Sequence, residues 1–229
     1  MSAREGPAHA TAIVPVKRFS AANQRLSGVL GPSERARLAA AMLSDVLGAI
    51  GRSELIDRLL IVSREPSLAG VASAHRATLL DDPGDSSHSR AAGIGIAAAI
   101  GGGARSVALL PGDCPLLEAS ELDSALAGLG EGIVGVIPDR HGSGTNGLLC
   151  RPPDLIEPAF GPDSRERHLD LAERAGGRGE VIEIHSLALD LDTGGDLEAL
   201  RALVRGGKLR GSATAKALGS INSGPARRA

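Results

Sequence analysis

Aromatic side chains are almost missing from these 229 residues, which contain two Phe, no Tyr and no Trp. Single-stranded nucleic-acid platforms stack bases on aromatic faces, so that class is excluded, and aromatic sugar-stacking sites are disfavoured. Cysteine is nearly missing too. Cys114 and Cys150 allow at most one bridge and fit free thiols in a reducing cytosol. No apolar run is long enough for a bilayer: the longest, Ala91 to Ala104, is rich in Gly and Ala and too short. The opening MSAREGPAHA lacks the apolar centre of a signal peptide. These features predict a soluble, cytoplasmic protein with no membrane partner. Familiar catalytic templates are missing as well. There is no G-x-x-x-x-G-K-[ST], no H-E-x-x-H and no G-x-S-x-G, and the six histidines show no metal-ligand spacing. His141 and His168 read as surface histidines.

What is present is an ordinary globular composition, 42% apolar and 23% charged, on a chain long enough to bury a core without disulfides. The net charge of −2 is unevenly spread. The last 29 residues hold seven of the 25 Lys and Arg and no acid, so the first 200 carry 18 basic against 27 acidic groups, a net of −9. An acidic body repels a phosphate backbone, which argues against a nucleic-acid partner. Residues 206–229 read as a basic, flexible tail on a single domain of residues 1–205.

The hydrophobic pattern alternates strands and helices. Strands are predicted over Thr11–Val16, Ile56–Ser63, Ala77–Leu80, Ser106–Pro111, Gly132–Pro138, Asn146–Arg151, Glu180–Ile184 and Leu187–Asp192. Helices are predicted from Pro32 to about residue 50 and over Glu65–Ala74, Ser89–Gly101, Glu118–Leu129, Ser164–Ala175 and Leu197–Val204. Such alternation predicts a three-layer α/β/α fold on a mostly parallel mixed sheet, with the later strand pair as an antiparallel edge.

Four segments could carry chemistry. In Leu110-Pro111-Gly112-Asp113, a buried strand runs into a glycine and an aspartate. Ligands of open α/β sheets bind at strand carboxyl ends, which places Asp113 where a metal or phosphate would sit. Asp190 and Asp192 lie two apart in a predicted strand, so both carboxylates share one face. The pair either solvates on an edge or is bridged by a cation, and with Asp113 it makes an oxygen-rich set suited to Mg²⁺. Asp196, in Thr193-x-x-Asp196, reads as a capping residue. Lys17 is the only lysine in the first 207 residues and ends the first strand, where an ammonium could meet a triphosphate; Arg18 and Arg25 are nearby. Residues 142–147 match G-x-G-x-x-G, but a strand follows, so a dinucleotide fold is rejected; the turn is either a hairpin or an anion-binding nest. Ser164 reads as an N-cap or as part of a helix start that holds an anion.

Taken together, I-V-P-V-K-R at 13–18, R-L at 25–26, the helix at 32–50, L-P-G-D-C-P-L-L at 110–117, D-R-H-G-S-G-T-N at 139–146, F-G-P-D-S at 160–164 with Arg167-His168, and L-D-L-D-T at 189–193 resemble the CofC/FbiD guanylyltransferases of coenzyme F-420 biosynthesis. The resemblance runs from Ile13 to about Leu200. It implies a nucleotidyltransferase fold of the GT-A and MobA kind. It also implies transfer of GMP from GTP to a phosphorylated three-carbon acid, with pyrophosphate released. In this family the acid is phosphoenolpyruvate, 2-phospho-L-lactate or 3-phospho-D-glycerate. The bacterial branch implies phosphoenolpyruvate, giving enolpyruvyl-diphospho-guanosine for handover to the next pathway enzyme. By position, Asp113, Asp190 and Asp192 match the family's metal acids, with Lys17 and Asp113 the expected catalytic pair. Thr145, Gly161 and Ser164 match its contacts to the acid, and Lys17 and Arg25 match basic positions on the nucleotide side. Two departures fall on that side. Asn23-Gln24 stands where the family usually has a Lys before R-L, and Ser89 stands where it commonly has Asn. The competing readings are a MobA-like or sugar-phosphate nucleotidyltransferase with another acceptor, and a non-catalytic nucleotide-sensing domain.

Overall fold

The computed structural model describes residues 9–84 and 87–222. Seven strands form one sheet: β1 (Ala10–Pro15), β2 (Ile56–Val62), β3 (Thr78–Leu80), β4 (Val107–Leu109), β5 (Ile133–Pro138), β6 (Thr145–Arg151) and β7 (Arg178–Val181). Their order is β3-β2-β1-β4-β6-β5-β7. All run parallel except β6, which is antiparallel to both β4 and β5. The antiparallel member therefore lies inside the sheet, and the edge strand β7 runs parallel to β5. The predicted antiparallel edge is misplaced because the tight hairpin of residues 139–144 folds β6 back between β5 and β4, where both of its sides are paired.

Alternate residues of the central strands face opposite layers, as the two-residue period of a strand requires. Ala12, Val14, Ile61, Ala108 and Leu149 pack toward α1 (Pro32–Ile50), α2 (Leu68–Ala74) and α4 (Ala119–Ala127). Ile13, Leu60, Val62, Leu109 and Leu148 pack toward α3 (His88–Gly101) and α5 (Ser164–Arg174). The small residues of α3 have a steric reason: a Cβ at Gly95 would run into Ile13 Cγ2, so the helix lies close to the sheet only because that position is glycine.

A third apolar cluster lies on the outer side of α1. There Leu38 and Met42 meet Leu26, Leu191, Leu197, Leu200, Ala217 and Leu218, drawing in α6 (Gly194–Arg205) and α7 (Ala213–Asn222). The flexible tail expected from residue 206 thus passes through turns at 206–212 into α7, a helix docked on α1. Asp45 caps it, accepting from the backbone N–H groups of Ala213 (2.9 Å) and Thr214 (2.8 Å). Residues 223–229 lie outside the described part. No helix among the described residues is long and apolar enough to cross a membrane.

The second correction concerns Leu187–Asp192, which joins no strand. His185–Leu187 is a single 3₁₀ turn, and residues 188–192 are irregular up to Thr193, which caps α6. Alternation is retained without a ladder, because Leu191 is buried in the outer cluster while Asp190 and Asp192 are half-buried.

Candidate active site

The chain turns back across the sheet at β1: β2 and β3 lie on one side of it, and β4 begins the other. Beyond the carboxyl ends of β1 and β4 is the topological switch point, where open α/β sheets hold ligands. A cavity of about 300 Å³ is found there, lined among others by Lys17, Asn23, His88, Gly112, Asp113 and Asp192. Lys17 enters from the end of β1 and Asp113 from the end of β4. Asp192 enters from the segment before α6.

Specific contacts hold that segment against the strand ends. The Leu187 carbonyl accepts from Asn146 Nδ2 of β6 (2.8 Å) and from Cys114 Sγ (3.5 Å). On the other side, Asp196 Oδ2 accepts from the backbone N–H groups of Asp192 (3.2 Å) and Thr193 (2.6 Å), the capping role read from sequence. Arg140 pairs with the other Asp196 oxygen. Asn146 and Arg140 are therefore scaffolding for the acid-bearing segment, and neither was singled out in the sequence.

The three acids repel one another. Burial, and then the charges of Asp190 and Asp192, push the Asp113 carboxyl up to about 7. Burial also raises Asp190, with the Asp192 charge adding to it. The Cys114 thiol is raised well above its ordinary value, chiefly by burial, which leaves it an inert packing group. Both cysteines are free and buried. Even so, among the described residues no three His, Cys, Asp or Glu side chains are gathered as a ready metal cage. Asp192 is instead paired with Arg25 at 2.8 Å, on an exposed face. Arg25 and Asp192, which the sequence gave to separate partners, thus meet each other.

The residues matched to the acid substrate lie apart from that cavity; none of Thr145, Gly161 and Ser164 is on its wall. Thr145 opens β6, and Ser164 opens α5 and is 1% exposed. Ser164 is the first helical residue and not the N-cap; that place belongs to Asp163, in the left-handed region at φ 53°. Gly161 has φ 131°, which favours glycine. The loop between is tightly tied. Arg167 donates to the carbonyls of Ala159 (2.9 Å) and Pro162 (2.9 Å), and the Arg165 N–H donates to the Ser143 carbonyl (3.1 Å). Ser89, expected beside the nucleotide, accepts from the Phe160 N–H at 2.9 Å. The glycine turn at 139–144 is a hairpin joining β5 to β6.

Histidines connect the two regions. His88 lines the cavity and meets the Phe160 ring edge-on at 4.6 Å; Phe160 meets His168 at 5.3 Å. His168 is fully buried, against the surface position expected. Burial, then the charge of Lys17, lowers His88 to about 4; burial, then Arg167, lowers His168 likewise to about 4. Both rings are neutral near pH 7. His141 is exposed, as expected. No spacing rule points to His88, whose ring partner Phe160 lies far along the chain; His168 stands beside Arg167 in the family pattern, which does not announce its burial.

The model of the family "Guanylyl transferase CofC like" matches residues 10–218. A phosphoenolpyruvate guanylyltransferase of Conexibacter woesei is 46% identical over 201 residues, covering 86% of this chain and 90% of its own length. A second, from Sphaerobacter thermophilus, is 37% identical over 189 residues, covering 82% and 91%. Among solved structures, a nucleotide-diphospho-sugar transferase candidate from Desulfovibrio desulfuricans superposes with a TM-score of 0.75 at 18% identity, covering 94% of this chain and 96% of its own. A 4-diphosphocytidyl-2C-methyl-D-erythritol synthase from Anaerococcus prevotii gives 0.60 at 11% identity, covering 87% and 97%. These two likenesses concern the fold.

Proposed function

Because the chain belongs to the CofC-like guanylyl transferase family, we propose that it transfers GMP from GTP to phosphoenolpyruvate, releasing pyrophosphate and forming enolpyruvyl-diphospho-guanosine. 2-Phospho-L-lactate and 3-phospho-D-glycerate are the other acids that this reading admits. The observation that carries it is the mutually repelling acid cluster at the switch point, where the charges of Asp190 and Asp192 act on Asp113, with Lys17 on the same cavity wall as Asp113 and Asp192.

The chemistry asks for no general base. The nucleophile is a phosphate oxygen, already ionised near neutral pH because its second pKa is about 6. It attacks the α-phosphorus of GTP; the new P–O bond forms as the bond to the β-phosphate oxygen breaks, and the electron pair leaves with pyrophosphate. What the chain must do is position two anions and offset their charge. Lys17 faces the triphosphate from the end of β1. Asn23, on the cavity wall, is polar and close to it. Thr145, the Gly161 backbone and Ser164 hold the acid. With no Trp or Tyr in the chain, guanine is read by backbone and small polar groups.

A divalent cation fits the donor set. The acids are hard oxygen donors whose mutual repulsion a cation would relieve, and Mg²⁺ is commonly held by one or two carboxylates plus substrate phosphates and not by a closed protein cage. Asp113 and Asp190 would hold it, with Asp192 joining once released from Arg25. When bound, the ion supplies charge neutralisation on the phosphates and the leaving pyrophosphate.

The cytoplasmic setting and handover of the product to the next enzyme of the route belong to the same reading. The test is pyrophosphate release from GTP and Mg²⁺ with each of the three acids, with and without that next enzyme. Turnover with phosphoenolpyruvate is expected; turnover only with a sugar phosphate or another acceptor would replace the assignment, and tight GTP binding with no turnover would make the chain a sensor.

A further inference from the structure

His168 stands at the centre of a hydrogen-bond arrangement whose direction is forced. Its Nε2 lies 2.9 Å from the Ala159 backbone nitrogen, and its Nδ1 lies 3.0 Å from Thr145 Oγ1. A backbone N–H can only donate, so Nε2 must be the bare, accepting nitrogen. A neutral imidazole has a single N–H, which is then on Nδ1, and Thr145 Oγ1 must accept from it. The ring is fully buried, and burial together with the Arg167 charge keeps it neutral. A hydroxyl oxygen that accepts from one side turns its own proton elsewhere. Among the described residues the Thr145 hydroxyl makes no other hydrogen bond.

The geometry points to His168 as a positioning residue: it locks the Thr145 hydroxyl as an outward donor, so that Thr145 meets the carboxylate or phosphate of the acid substrate with its proton already presented. The inference rests on the acid-site reading of Thr145 given above. The same ring, by accepting from Ala159, fixes the start of the loop that carries Gly161, so one side chain sets both a hydroxyl proton and a backbone approach. A ring with the proton on Nε2 would do neither. It would oppose the Ala159 N–H with a second donor and let Thr145 spend its proton on Nδ1.

Two variants separate the two bonds. An amide at His168→Asn occupies the Nδ1 position and can still donate to Thr145, whereas the longer His168→Gln reaches the Nε2 position, accepts from Ala159 and loses Thr145. With steady-state pyrophosphate release, His168→Gln is expected to raise KM for phosphoenolpyruvate about tenfold, as befits one weakened hydrogen bond to a charged group. His168→Asn, which keeps the Thr145 bond but loses the Ala159 one, should raise that KM by less, about threefold, and in both variants KM for GTP should stay within about twofold. Equal losses in Asn and Gln, or a matching loss for GTP, would mean that His168 only supports packing, and would overturn the inference. Nitrogen-15 spectra of the full parent chain give a check that needs no variant: the His168 ring must show the Nδ1–H form, and an Nε2–H or doubly protonated ring overturns it. Thr145→Val separates the two levels. If it leaves the KM for phosphoenolpyruvate unchanged, the acid-site reading fails and the inference with it; if Thr145→Val raises that KM and His168→Gln does not, only the inference falls.

Discussion

The two halves of the proposed site are built on opposite principles. Around Asp113, like charges are held together and offset only in part, by Arg25 at Asp192 and by the Arg140 charge at Asp190, and the Asp113 carboxyl is pushed up to about 7. Around Thr145 and Ser164, the structure is tied in advance: Arg167 and His168 of α5 and Ser89 of α3 fasten the loop at 159–162 from two helices. One half is electrostatically incomplete and gains most from a bound cation and nucleotide. The other is rigid in advance, and a rigid site loses less entropy on binding. A small acid with few contacts benefits from the second design, and a triphosphate with many charges can drive the first.

The largest expected effect breaks the incomplete half. Asp113→Asn and Asp190→Asn should each lower turnover on the order of 10³-fold while circular dichroism stays unchanged, since each removes charge from a centre that offsets developing phosphate charge. Full activity in both would remove the proposed metal acids. Next comes Lys17→Ala, expected to lose about 2–4 kcal/mol of transition-state stabilisation, or about 30- to 1000-fold in kcat/KM for GTP. A change under about threefold would show that Lys17 does not touch the triphosphate. Smaller still are the effects in the rigid half. Thr145→Val and Ser164→Ala should each weaken the acid by about 1.5–3 kcal/mol and leave GTP nearly unchanged, measured by titration calorimetry. Selective loss of GTP would place the two substrates the other way round.

Acidity sharpens the same contrast. The Asp113 carboxyl is raised from its ordinary 3.8 to about 7 in the fold, so the folded chain binds its proton more tightly than the unfolded chain does. That contribution is fully present below about pH 3.8 and lost as pH rises through about 7. Without metal, melting temperature relative to Asp113→Asn should therefore fall between about pH 4 and 7, and added Mg²⁺ should restore more at the higher pH. A flat difference would mean that the acid cluster is not repulsive. The smallest expected effect is Arg25→Ala, within about 0.5 kcal/mol in stability, since its pair with Asp192 is exposed.

Much of this contrast was legible along the chain, and the rest was not for identifiable reasons. Asp113 was found because a strand end followed by glycine is a local signal, and Lys17 because lysine is so scarce. Leu187–Asp192 has the alternation of a strand, and Leu191 is indeed buried; the segment is held instead through the Leu187 carbonyl by the Asn146 and Cys114 side chains, contacts that no local pattern announces. The His168–Thr145–Ala159 arrangement joins β6, the loop before α5 and α5 itself, and closes only when α5 folds back on the start of β6, which no periodicity announces. The tail misled by composition. Its charge and glycines suggest disorder, whereas Ala217 and Leu218 are enough, with the Asp45 cap, to dock a helix.

That docking has a consequence for how the polypeptide is made. Asp45 and the helix start it caps are 168 residues apart. At about 5–20 residues per second, translation leaves α1 waiting for about 8–34 s before α7 is available. Through that interval Leu38 and Met42 present an apolar stripe to the ribosome exit and to chaperones. The nascent chain can complete its sheet in the meantime, but the face that steadies Leu191, and with it the neighbouring Asp190 and Asp192, is finished only when the last described helix emerges.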